Sequence, residues 1–178
     1  KYIRFSHPSY AQSLKHILVE EDGYISQINK KIFSNLLLKL AEKDEAAWDV
    51  AMIVRDNFNE LSREERNKLL LKLAEKDEAA WDVAWAVACN FNELPEEVRN
   101  KLLLKLAEKK ETAEIVAWVL ADNFNELPEE VRNKLLLKLA EKKETAEIVA
   151  WVLADNFNEL PEEVRNKLLI KLFKHSEE

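Results

Sequence analysis

The chain has 178 residues, with one Gly, four Pro and one Cys, and carries a formal charge of −7. Phosphate-backbone binding needs clustered Lys and Arg that displace counterions, so an acidic chain of this kind is not read as a nucleic-acid binder. A single Cys excludes an internal disulfide, and no apolar run approaches the roughly 20 residues that cross a bilayer, so no membrane partner is expected. The abundance of Leu, Ala, Glu and Lys is the profile of helices joined by short loops, and the chain reads as all-α, soluble and cytoplasmic. Its start at Lys1 rather than Met is compatible with a piece of a longer protein.

Residues 1–23 form a segment unlike the rest. Tyr2 to Phe5 (YIRF) alternates like a short strand, and Ser6 to Tyr10 (SHPSY) turns into a helix with Pro8 in its first turn and Tyr10, Leu14, Ile17 and Leu18 on its apolar stripe. Glu20, Glu21, Asp22 and Gly23 follow as a hinge-like connector. The stretch IRFSHPSYAQSLKHIL resembles the end of the winged-helix segment in STAND-type signalling NTPases, where a Phe-x-His-Pro-Ser-like motif precedes a helical sensor array. The resemblance implies that His7 senses the nucleotide state. Without it, the same residues read as a helix start with an exposed histidine. In either case this chain has no phosphate-binding loop, which needs several glycines ahead of Lys and Ser or Thr, because Gly23 is its only glycine.

From residue 24 to 178 a repeat governs the sequence. The pentapeptide NFNEL recurs at Asn57, Asn90, Asn123 and Asn156 with a 33-residue period, and residues 100–132 and 133–165 are identical throughout. A fixed period in this range marks a stacked array. The repeats lie near 34–66, 67–99, 100–132 and 133–165, with a final helix over 166–174. The spacing predicts helices near 26–42, 45–57, 62–75, 78–90, 95–109, 111–123, 128–142, 144–156 and 161–174. Two identical neighbours point to very recent duplication or to deliberate construction.

Each unit reads as two helices. In the first, LPEEVRNKLLLKLAEK (Leu127 to Lys142), Pro128 presets the first turn and Glu129 and Glu130 sit at the positive end of the dipole. Ser62 with Glu65 supplies a capping box at the corresponding boundary. Val131, Leu135 and Leu139, widened by Leu136 and Ala140, make a buried stripe, with a Glu130–Lys134 pair on the wet side. The second helix, Glu144 to Asn156, is apolar almost all round and is expected to be the inner layer. NFNEL then reads as punctuation rather than a binding motif: the Asn residues tolerate a left-handed exit from the helix, and Phe157 and Leu160 plug the corner. The expected fold is a right-handed α-solenoid of stacked two-helix repeats. LPEEVRNKLLLKL is similar to the proline, Val-Arg and Leu pattern of HEAT-type repeats, and tetratricopeptide-like units of similar length imply a similar shape.

Chemistry is sparse. His7, His16 and His175 have neither Cys nor carboxylate partners at metal-ligand spacing, and Cys89 stands where other repeats carry Asp56, Asp122 and Asp155. The Glu residues are spread along wet faces, so no enzyme, metal or cofactor is expected. The surface is left. Trp85, Trp118 and Trp151, with Met52 in the same column, are either partner anchors or inter-repeat core, and their helical spacing favours core. Asn67, Asn100, Asn133 and Asn166 lie mid-helix, where Asn is a poor former, and are expected to form a ladder between repeats or to hold an extended peptide. The Asp column is expected to pair with Arg66, Arg99, Arg132 and Arg165.

Trp48 and Trp81 become Glu114 and Glu147, and Asp49 and Asp82 become Ile115 and Ile148, so a specific patch is expected first around Trp48 and Trp81. The final helix, where Phe173 replaces Ala140, suggests an apolar edge available for self-association. Two readings follow: a protein- or peptide-binding sensor of a STAND-like signalling protein, or a designed or extended repeat scaffold with no natural ligand.

Overall fold

The computed structural model describes residues 27–176. The expected strand at Tyr2 to Phe5, the helix after Pro8, the connector to Gly23, His7 and His16 lie outside them. Among the described residues there are nine α-helices and no strand: α1 Gln27–Leu40, α2 Asp44–Asp56, α3 Arg63–Leu73, α4 Asp77–Cys89, α5 Glu96–Leu106, α6 Lys110–Asp122, α7 Glu129–Leu139, α8 Ala146–Asp155 and α9 Glu162–Ser176. They fall into two compact units, one ending at Ala86 and one beginning at Val87, so the division lies within α4.

The helix starts follow local chemistry. Ser62 caps α3, its Oγ accepting the Glu65 amide at 3.4 Å, which is one half of the expected capping box; the Glu65 carboxylate accepts the Ser62 hydroxyl at 2.5 Å rather than the Ser62 amide. Pro95 and Pro128 stand one position earlier than expected, as extended N-caps (φ −57°, ψ 138° and φ −55°, ψ 140°) rather than inside the first turn. The role is still a preset φ, with Glu96, Glu97, Glu129 and Glu130 over the positive end of the dipole. At the start of the second helix, the buried Thr112 hydroxyl donates to the Leu106 carbonyl at 2.6 Å, and Thr145 does the same to Leu139. Each clasp adds a second donor to a carbonyl at a helix C-terminus, which also accepts the Lys109 or Lys142 amide of the turn that follows.

In the first unit α1 packs on α2 and α3, and α2 on α3. Its core is Leu37, Val50, Val54, Leu69, Leu70 and Leu73, each at most 1% exposed. In the second unit α5 packs on α6 and α7, α6 on α7 and α8, α7 on α8 and α9, and α8 on α9. Each helix there meets both its sequence neighbour and a helix one repeat away, so Leu102, Leu103, Leu106, Leu135, Leu136 and Leu139 are covered from several sides. Each such leucine contributes on the order of 2 kcal/mol by leaving water. Val131, expected on this stripe, is only half-buried.

Lysine–glutamate links between neighbouring repeats occur in each unit. Lys72 reaches Glu42 at 2.7 Å in the first unit, and Lys138 reaches Glu108 and Lys171 reaches Glu141, both at 2.6 Å, in the second. The lysine hydrogen bond holds each of these carboxyls below its ordinary pKa. The expected Glu130–Lys134 pair is present at 2.6 Å.

Candidate functional site

NFNEL forms a corner. Its first Asn ends the preceding helix by turning its side chain back: Nδ2 of Asn57, Asn123 and Asn156 donates to Ile53, Val119 and Val152 carbonyls at 2.7, 2.8 and 2.9 Å. The expected left-handed exit is not used. The φ values of Asn57, Asn123 and Asn156 lie between −115° and −122°, and each Asn holds one carbonyl of the last turn with both its backbone amide and its side-chain amide. Phe58, Phe91 and Phe124 are buried, as are Leu61, Leu94, Leu127 and Leu160.

Above each phenylalanine ring lies the guanidinium of the following helix, Arg66 over Phe58 at 3.9 Å, Arg99 over Phe91 at 4.0 Å, Arg132 over Phe124 at 4.6 Å and Arg165 over Phe157 at 4.7 Å. Arg66, Arg99 and Arg165 also donate through Nη1 to the carbonyl of the same Phe, at 3.1, 3.4 and 3.3 Å. This replaces the expected pairing of the arginines with the Asp column. A spacing of eight residues across each corner brings Arg and Phe together, whereas Asp122 and Asp155 end their helices exposed to solvent. The planar guanidinium can stack on the ring and hydrogen-bond its carbonyl at once.

The tryptophans are not core. All five in the chain are exposed: Trp48 50%, Trp81 48%, Trp85 40%, Trp118 44% and Trp151 51%. The helices that carry them are therefore not buried all round, and the expected inner layer has a wet face. Its buried residues are the small and branched ones, Ala113, Val116, Ala117, Val119 and Leu120 in α6, which let neighbouring helices approach closely. In the first unit Trp81 and Trp85, one turn apart on α4, meet edge to face with centroids 5.8 Å apart. In the second, Trp118 on α6 and Trp151 on α8 lie 6.0 Å apart at 52°.

The other columns divide. Oδ1 of Asn67, Asn100 and Asn133 is enclosed and has no hydrogen-bond partner, while Asn166 is exposed, so the expected asparagine ladder is not formed through these oxygens. Asp49 and Asp82, expected to be surface residues beside Trp48 and Trp81, are buried. Asp82 is 2% exposed and takes Nη1 of Arg55 from α2. Burial pushes its carboxyl above the ordinary value, against the pull of Arg55. In the second unit the corresponding partners are apolar, Ala121 on α6 and Ile148 on α8. Cys89 ends α4 and is exposed. His175 lies near the Ala140 carbonyl at 3.0 Å.

Two surfaces of the second unit remain. An apolar cavity of about 400 Å³ opens between α8 and α9, lined by Leu153, Phe157, Leu169, Leu172 and Phe173. The other surrounds Trp118 and Trp151 with carboxylates, Glu111, Glu114 and Asp122 on α6 and Glu144, Glu147 and Asp155 along α8 and the turn before it, all exposed. Reading each Glu as part of a solvated face missed this grouping. The signal was present, since Glu114 and Asp122 stand four residues either side of Trp118. Among the described residues no group of three or more His, Cys, Asp or Glu is placed to hold a metal ion, and no helix is long and apolar enough to cross a membrane. Comparison of the chain with protein-family models, with curated proteins and with solved structures gives no match.

Proposed function

We propose that this chain is a non-catalytic protein-interaction module, a right-handed α-solenoid of stacked two-helix repeats whose exposed tryptophans anchor a protein or peptide ligand. The observation that carries the reading is the fate of the large apolar residues. In each of the three inner repeats three leucines of the first helix (Leu69, Leu70 and Leu73, then Leu102, Leu103 and Leu106, then Leu135, Leu136 and Leu139) are at most 1% exposed, while all five tryptophans stay 40–51% exposed. A tryptophan held in water forfeits burial of its large apolar surface, and side chains of this kind supply much of the binding energy at protein interfaces. The 33-residue period and the packing of each second-unit helix on a helix one repeat away support the stacked arrangement. The STAND-like context, with the array as a cytoplasmic sensor beside a nucleotide switch, rests on IRFSHPSYAQSLKHIL, and sequencing the coding region upstream of Lys1 tests it.

Selection of a peptide-display library on the full chain tests the module itself, with a chain carrying Trp85→Ala, Trp118→Ala and Trp151→Ala as counter-target. Enrichment on the parent chain and not on the substituted one supports the reading. Equal enrichment on both chains, or none on either, sinks it and leaves the second reading, a repeat scaffold without a natural ligand. The identity of residues 100–132 and 133–165 favours that second reading.

A further inference from the structure

We propose that the Trp118–Trp151 face of the second unit binds a cationic peptide segment, rich in arginine or lysine, with its charged heads over the indoles and among the surrounding carboxylates. The proposal rests on the interaction-module reading and specifies its partner.

The argument begins from charge segregation within the unit. Along α7, α9 and the turns that follow α5 and α7, four carboxylates are neutralised by lysines: Glu108 by Lys138, Glu130 by Lys134, Glu141 by Lys171 and Glu163 by Lys167, all at 2.5–2.6 Å. The face that carries the tryptophans is different. Glu111, Glu114 and Asp122 on α6, and Glu144, Glu147 and Asp155 along α8 and its approach, are all exposed, and none of the six takes part in an ion pair among the described residues. Lys110 and Lys143 stand at the N-terminal ends of these two rows, and the rest of each row carries no cation.

Asp122 and Asp155 sharpen the point. Each is the last residue of its helix, at the negative end of the dipole, and neither helix has a basic residue in its last turn. A carboxylate there is unfavourable until a cation arrives. Between the acidic ends lie two indoles 6.0 Å apart and about half exposed, which is the surface that an arginine or lysine stem covers while its head meets the ring face. The chain uses the same contact internally at every corner, where Arg lies over Phe. An acidic partner would meet like charge along both rows, and a purely apolar one would strand carboxylates at its rim.

The test uses the full chain and three synthetic peptides of equal length in which serine alternates with arginine, glutamine or glutamate, with binding followed by calorimetry. The arginine peptide should bind, weaken as salt rises, and lose at least about tenfold in affinity in a Trp118→Ala/Trp151→Ala chain. Glu114→Gln/Glu147→Gln should weaken it while flattening the salt dependence. Both variants change exposed residues, and unaltered melting curves confirm that the fold is kept. Equal binding of the glutamine peptide overturns the cationic preference. Arginine-peptide binding untouched by the tryptophan changes, or abolished instead by Phe173→Ala, overturns the location. Failure of all three peptides also overturns the proposal. If display selection then yields uncharged ligands that need the tryptophans, the interaction-module reading stands without it.

Discussion

Arg55 and Asp82 show what single residues decide. Their contact joins α2 to α4, with Asp82 nearly sealed from solvent and Arg55 about a third exposed. Removing the arginine strands a buried charge, so Arg55→Ala should cost about 2–3 kcal/mol in urea unfolding, less than for a fully buried pair because water screens the exposed partner. The double change Arg55→Ala/Asp82→Ile copies the apolar solution of Ala121 and Ile148 and should be neutral or stabilising. The pH dependence has a definite sign. Asp82 has its carboxyl raised by burial, so its ionisation opposes folding at neutral pH and that penalty fades as pH falls through the raised value. The Arg55→Ala penalty should therefore shrink in acid. A penalty that grows on acidification would mean that Asp82 is not the group left stranded. At the corner, Arg99→Lys keeps the charge but loses the planar stack on Phe91 and should cost about 1 kcal/mol.

Helices and their junctions carry the next level of stability. The Thr145 clasp onto the Leu139 carbonyl is buried and made at 2.6 Å, so Thr145→Ala should cost on the order of 1 kcal/mol, measured as a shift in denaturation midpoint at unchanged slope. Thr145→Ser keeps the hydroxyl and should recover most of it. The Lys–Glu links respond to acid in the opposite sense to Asp82. Glu108 and Glu141 have their carboxyls lowered by Lys138 and Lys171, so what these pairs contribute is present above the unfolded carboxyl value and is lost as pH falls through the folded one. These carboxylates are exposed, so the loss should be small and should shrink further in high salt.

At the scale of the whole chain, the repeat supplies its own internal comparison. Leu136 and Phe124 are 0% and 4% exposed, whereas their copies one period later, Leu169 and Phe157, are 37% and 42% exposed, beside Ile170 at 61% and Phe173 at 68%. The same residues are covered in one repeat and open in the last repeat described. Inserting one more copy of residues 133–165 should therefore raise the melting temperature, since it adds one covered interface and leaves the open end unchanged. An unchanged melting temperature would mean that the interface adds nothing to stability. The open end is also where self-association is expected. Light scattering at high concentration should show a mass above the monomer that falls on Phe173→Ser.

Much of this was legible before any coordinates. Period, helix count and helix boundaries follow from local rules, because Pro, Ser and Asn act on the backbone within a few residues of themselves, and NFNEL could be read as a corner for that reason. The sides of the second helix could not. A helix crowded with Ile, Val, Leu and Trp looks apolar all round, and only packing reveals that the small and branched residues took the interior while the indoles were left outside. Likewise the arginine's choice of Phe over Asp, and the burial of Asp82 beside an exposed Trp81, depend on which groups the tertiary fold brings within reach. The sequence by itself determined the elements and their repetition, which are set by short-range backbone chemistry. Only the tertiary structure decided which face of each helix meets water, because that depends on neighbours a full repeat away.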